Sequence, residues 1–127
     1  MDLTRATNLA RCGQVAACTD SDMKAVTDAR PWGANNPRWQ LYAYGPVARL
    51  LAPGEIDSRV YVMVWVGDDP SEIDGDPLRD GTAGTSPGHD VLVVRAEAFA
   101  TGGGHRTVEV TIGRTPYALR RLSWRAP

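Results

Sequence analysis

The chain is poor in several things that would narrow its function. It has one phenylalanine and two histidines among 127 residues, too few imidazoles for a histidine-rich metal centre. Lys24 is the only lysine; the other thirteen of its fourteen basic residues are arginine. Fifteen acids against those fourteen leave a net charge of −1, which removes the basic footprint of a domain that grips phosphates and speaks against nucleic acid as a partner. The longest apolar run, Val60 to Val66, is seven residues, whereas a membrane-spanning helix needs about 20. The start, Met1-Asp2-Leu3-Thr4-Arg5, has none of the charged, apolar and small-residue regions of a secretory signal.

What is present is a composition able to fold. Hydrophobic residues make up 43% and charged residues 23%, enough apolar surface for a core, and the length suits one domain spanning 1–127. The two cysteines, Cys12 and Cys18, are separated by five residues with no histidine near them, the closest in sequence being His89. A zinc site is thereby excluded, and either a local disulfide or two small buried thiols remains.

Leu3, Ala6, Leu9 and Ala10 fall at helical spacing before Gly13 interrupts them. Thr19 followed by Asp22 has the spacing of a capping box, and Met23, Val26 and Ala29 give a short apolar stripe that Pro31 stops, so a helix is expected near 20–29. Residues 31–37, PWGANNP, read as an anchored irregular segment. Arg38 to Tyr44 alternates as a first strand, Gly45-Pro46 as a turn, and Val47 to Leu51 as a helical turn. Arg59 to Val66 is apolar on both faces and reads as a central strand. Asp90 to Ala100 and Arg106 to Ile112 read as a hairpin around the Gly102-Gly103-Gly104 turn, with Val108, Val110 and Ile112 facing in and Thr107, Glu109 and Thr111 facing out. Tyr117 to Trp124 suits either a strand or a helix. Helices first and strands after, without βαβ alternation, predict an α+β fold: a short N-terminal helical segment on an antiparallel sheet of about four strands.

Between the strands, Gly67 to His89 holds only Ile73, Leu78 and Ala83 as apolar side chains and reads as one long loop. Its Asp68 to Asp80 portion contains six acids and Arg79, a local charge of −5 that leaves +4 elsewhere. Carboxylates so crowded repel one another, and a hard cation with six to eight oxygen ligands relieves the repulsion, so calcium is the expected cofactor. The pattern is not an EF-hand, because aligning Gly75 at the sixth loop position puts Pro70 and Gly81 where carboxylates are required. A solvated acidic turn is the alternative.

Other patterns carry less. Gly84-Thr85-Ser86-Pro87-Gly88 matches G-x-S-x-G, but a nucleophile elbow needs a strand before the serine and a helix after it, and neither is expected here. The glycines at 102–104 lack the helix of a phosphate cradle. Trp32, Trp39, Trp65 and Trp124 are expected in the core rather than on a ligand platform. An enzyme would require a pocket gathering His89 or His105 with a carboxylate within hydrogen-bond reach; without it the chain is expected to have no catalytic residues.

The stretch from Tyr61 to Arg114, with VWVGDDPSEIDGDPLRDG, DVLVVRAEAF, the glycine turn and HRTVEVTIGRT, resembles the C-terminal half of PilX-type minor pilins. The resemblance implies a pilin-like head taking part in type IV pilus assembly, adhesion and twitching motility. Its partners would be other minor or major pilins or a pilus-tip adhesin, met through the acidic loop and a free sheet edge. It also implies a prepilin segment and a hydrophobic helix that anchors the head on the periplasmic face of the inner membrane before export into the extracellular pilus. Leu3 to Cys12 is read as the remnant of that helix, and the rest as a soluble head. Related pseudopilins of type II secretion hold calcium in a loop between head strands, which points to Asp68, Asp69, Asp74, Asp76 and Asp80 as ligands here. The alternatives are a freestanding calcium-binding extracellular recognition module and, more remotely, a small cytoplasmic enzyme.

Overall fold

A computed structural model describes residues 2–28, 38–52, 58–69, 72 and 89–127. The first helix, α1 (Leu3–Cys12), begins where the Asp2 carboxylate accepts the Arg5 N–H at 3.0 Å. It ends at Gly13, whose φ of 71° is the left-handed conformation that glycine adopts without strain, and the Gly13 N–H closes on the Leu9 carbonyl at 3.0 Å. A disulfide joins Cys12 to Cys18 and so ties the end of α1 to the approach of α2 (Asp20–Asp28). Thr19 and Asp22 form a reciprocal cap. The Thr19 N–H donates to the Asp22 carboxylate at 2.9 Å, and the Asp22 N–H donates to the Thr19 hydroxyl at 3.2 Å. The Thr19 hydroxyl also donates to the Asp22 carboxylate at 2.6 Å, and this bond first, then those from the Thr19 N–H and the Gln14 amide, hold the Asp22 carboxyl below its ordinary value of 3.8.

Five strands follow: β1 (Gln40–Pro46), β2 (Tyr61–Asp68), β3 (Val91–Phe99), β4 (His105–Arg114) and β5 (Leu119–Arg125), with a one-turn helix, α3 (Val47–Leu50), after β1. They form one antiparallel sheet in the order β1-β2-β3-β4-β5, so the fold is a mixed α+β architecture with five strands where four were expected. The fifth comes from the tail, which alternates too weakly to declare itself in sequence but pairs with β4 from Glu109↔Arg125 to Arg114↔Leu119. Gly45 and Pro46 are a second correction. They extend β1 and pair with Val62 and Tyr61, which an edge strand allows because the missing proline N–H costs no interior ladder bond. The long loop begins later than expected, since Gly67 and Asp68 still belong to β2. Residues 70, 71 and 73–88 lie outside the described residues, as do 29–37 with Trp32.

The three central strands pair without interruption, while a register shift between Leu41 and Ala43 and another between Thr111 and Ile112 bend the two outer pairings. Helix α1 covers one face. Ala10 of the helix packs with Trp39, Met63, Trp65 and Val93, and Leu3 and Ala6 pack against the same cluster. The Trp65 indole N–H donates to the Thr7 hydroxyl at 3.2 Å, and Arg11 Nε donates to the Trp39 carbonyl at 2.9 Å, so polar groups as well as apolar ones fix the helix on the sheet. Trp39 and Trp65 are core residues as expected, whereas Trp124 is 59% exposed.

The facing of β4 is the reverse of the sequence expectation. Pairing places Glu109 beside Arg95, which is beside Trp65, so Glu109 lies on the helix-covered face and is only 3% exposed. Val108, Val110 and Ile112 line the opposite face with Val64, Val66 and Val94, none of them fully buried. The expectation assumed that charge points to solvent; here neighbouring charges of opposite sign make burial tolerable. Among the described residues no helix is long and apolar enough to cross a membrane.

Candidate functional site

Three features could carry function: an ionic row beside α1, the start of the acidic stretch, and the face away from α1 with its last strand. The ionic row follows from strand register. Arg95 on β3 stands between Glu97, two residues along its own strand, and Glu109 across on β4. Its Nε and Nη2 donate to Glu97 Oε1 at 2.9 and 2.8 Å, and its Nη1 donates to Glu109 Oε1 at 3.0 Å. Arg125 on β5 donates through Nε to Glu109 Oε2 at 3.0 Å. At the other end, the His105 Nε2–H donates to Glu97 Oε2 at 3.1 Å, and the ring stacks on Phe99 with centroids 4.8 Å apart. Each carboxylate therefore has two basic neighbours, the arrangement that offsets the desolvation of buried charge.

His105 is thus brought to a carboxylate, as an enzyme would require. The pair borders a cleft of about 470 Å³ between α1 and the sheet, lined by Arg5, Leu9, Arg95, Glu97, Phe99 and His105 among others, and that volume suits a small molecule. Among the described residues the lining contains no serine, threonine, cysteine or lysine side chain. The Glu97 oxygens already accept from Arg95 and His105. The arrangement orients an imidazole beside a cleft whose other carboxylate is Asp2. His89 lies elsewhere, 3.8 Å from Asp90 across a half-exposed pair at the start of β3.

The proposed metal ligands divide. Asp68 ends β2 and is 5% exposed, its Oδ1 accepting the Asp69 N–H at 2.9 Å. Asp69 follows it, and the Asp69 carbonyl accepts the Glu72 N–H at 3.0 Å. Asp74, Asp76 and Asp80 lie outside the described residues. Glu72, which sequence reasoning did not select, is fully buried; the only sequence signal for it was membership of the same acidic run. The oxygen-only donors Asp68, Asp69 and Glu72 fit a hard cation in kind, although no group of three or more potential metal ligands comes together among the described residues.

The face away from α1 carries Val64, Val66, Leu92, Val94 and Ile112 around a depression that Leu119 borders on the β5 side. Leu119, Leu122 and Trp124 are 69%, 57% and 59% exposed, and every residue of β5 is exposed. The chain matches no family model, no curated protein and no solved structure.

Proposed function

We propose that the chain is the head of a PilX-type minor pilin, a recognition unit without catalytic residues that contributes to type IV pilus assembly and adhesion through protein contacts. The observation that carries this reading is the disposition of the sheet: α1 occupies one face, while β5, at the end of the strand order, presents exposed apolar and cationic side chains. Such a surface suits a subunit that completes itself against neighbours. Other pilins or a tip adhesin are the proposed partners, and the inner membrane and then the extracellular pilus the proposed location.

Calcium belongs to the same proposal. Asp68, Asp69, Asp74, Asp76 and Asp80 would hold it, with the buried Glu72 beside them, and the cation would neutralise their mutual repulsion and order the segment. Millimolar calcium should then raise the melting temperature and a chelator reverse the rise, because binding to the folded form alone stabilises it by mass action. Joint substitution Asp74→Ala and Asp76→Ala should abolish the shift; a full shift in that variant would mean other ligands.

The pilus reading is tested in the organism that makes the protein. Deleting the gene should reduce surface pili, and the reading frame upstream of Met1 should encode an apolar helix of about 20 residues. Normal piliation together with an upstream frame lacking that helix would leave the freestanding recognition module. A second reading, a small enzyme, is favoured by the His105–Glu97 pair alone. An activity that disappears in His105→Ala, with folding intact, would establish it.

A further inference from the structure

Helix α1 and strand β3 face each other across the cleft of about 470 Å³. Asp2, Arg5, Ala6 and Leu9 recur at helical spacing and so line it from one side. Arg95, Glu97 and Phe99 alternate onto one face of β3, with His105 paired opposite Phe99, and line it from the other. The apolar part of the lining is Ala6, Leu9 and Phe99, and Leu9 is 45% exposed.

The charges of the cleft are not evenly matched. Glu97 accepts from Arg95 on Oε1 and from His105 on Oε2. Asp2 accepts the Arg5 N–H on Oδ1. Arg95 in turn commits Nε and Nη2 to Glu97 and Nη1 to Glu109. Arg5 is the exception: it is exposed, and its guanidinium has no hydrogen bond or ion pair among the described residues. Each carboxylate of the cleft has a donor, and one fork of donors has no acceptor.

We propose that this cleft binds a small monocarboxylate with an apolar body, the carboxylate meeting the Arg5 guanidinium and the body lying against Ala6, Leu9 and Phe99.

The lining selects each property of that ligand. A guanidinium presents a planar fork that the two oxygens of one carboxylate fill. A single negative charge suits the cleft better than the double charge of a phosphate ester, because Asp2 and Glu97 border the same space and repel added charge. A cationic ligand fails for the opposite reason: Glu97 is already supplied by Arg95 and His105, and Arg5 would repel it. The volume lies in the range of small-molecule sites, where apolar walls supply most of the contact and a few polar groups fix orientation. The cleft lies at the Phe99 end of β3, whereas Asp68 pairs with Leu92 near the other end. Ligand binding here is therefore separate from calcium binding there, and it does not depend on the pilus reading.

The probe is phenylacetate, compared with its neutral amide, phenylacetamide, and with the cationic phenethylamine. Each is titrated into the whole protein at low salt and followed by backbone amide chemical shifts. Phenylacetate should bind at millimolar concentration, about tenfold more tightly than the amide, and should shift the amides of Arg5, Ala6, Leu9 and His105. Phenethylamine should bind more weakly than either. Arg5→Gln should remove the preference for phenylacetate while leaving the affinity for the amide unchanged, a split that a merely structural role for Arg5 would not produce. Leu9→Ser should weaken both ligands alike. Both side chains are exposed, so each variant should keep the fold. Equal affinities for phenylacetate and its amide, shifts confined to Arg120 and Arg121, no binding at millimolar ligand, or an undiminished preference in Arg5→Gln would each overturn the proposal.

Discussion

The two faces of the sheet differ in a way that inverts a common intuition. The face under α1 holds the fully buried side chains Trp39, Met63, Trp65 and Val93, and it also holds Arg95, Glu97 and Glu109. The face away from α1 carries a row of valines, each only partly buried. Hydrophobicity alone therefore does not mark the inside of this molecule. What marks it is large shape-filling aromatic side chains together with charges arranged to neutralise one another.

Substitutions can break that contrast. The largest effect is expected for Trp65→Ala, which empties the centre of the covered face and should cost about 3–5 kcal/mol in urea unfolding. Val94→Ala, on the face away from α1, should cost less, about 1 kcal/mol, since Val94 keeps part of its surface in water. Similar losses at the two positions would mean that something covers the second face. Arg95→Met tests the charged part of the same contrast. Removing one partner of a buried ion pair leaves uncompensated charge, and the cost should be about 2–3 kcal/mol, moderated because Glu109 keeps Arg125 and Glu97 keeps His105.

Opening the disulfide with Cys12→Ser and Cys18→Ser should cost about 2 kcal/mol in the chain-entropy description. The effect should fall on the covered face, with faster amide exchange in α1 and little change in β3 and β4. The smallest effect concerns acid. The Asp22 carboxyl is held below its ordinary value of 3.8 by Thr19, so the support it gives to α2 is present above that value and is lost as pH falls through the lower folded one. Amide protection at the start of α2 should drop in that acid range, and Asp22→Asn should flatten the dependence.

Much of the order of elements was legible in the sequence, because local chemistry decides it. Gly13 ends α1, Thr19 and Asp22 start α2, and the glycines at 102–104 turn the β3–β4 hairpin. The orientation of β4 was not legible, because alternation separates two faces without naming which will be covered; the choice depends on Trp39 and Trp65, far from Glu109 in sequence. The fifth strand escaped for a related reason. Arg120 and Arg121 interrupt any clean period, and β5 acquires its identity only from pairing with β4. Of the candidate site, the acidic run was visible at once, whereas the meeting of His105 with Glu97 required the hairpin to fold first.

The attachment of α1 has a mechanical side. Its bonds to the sheet, from Trp65 to Thr7 and from Arg11 to the Trp39 carbonyl, are distributed along its length, and the disulfide locks its far end. Tension applied through Asp2 along the helix axis would load these attachments together, in shear. Tension applied through Pro127 would open the β4–β5 ladder one pair at a time, as a zipper opens. The same chain would thus resist tension from one end and yield to tension from the other.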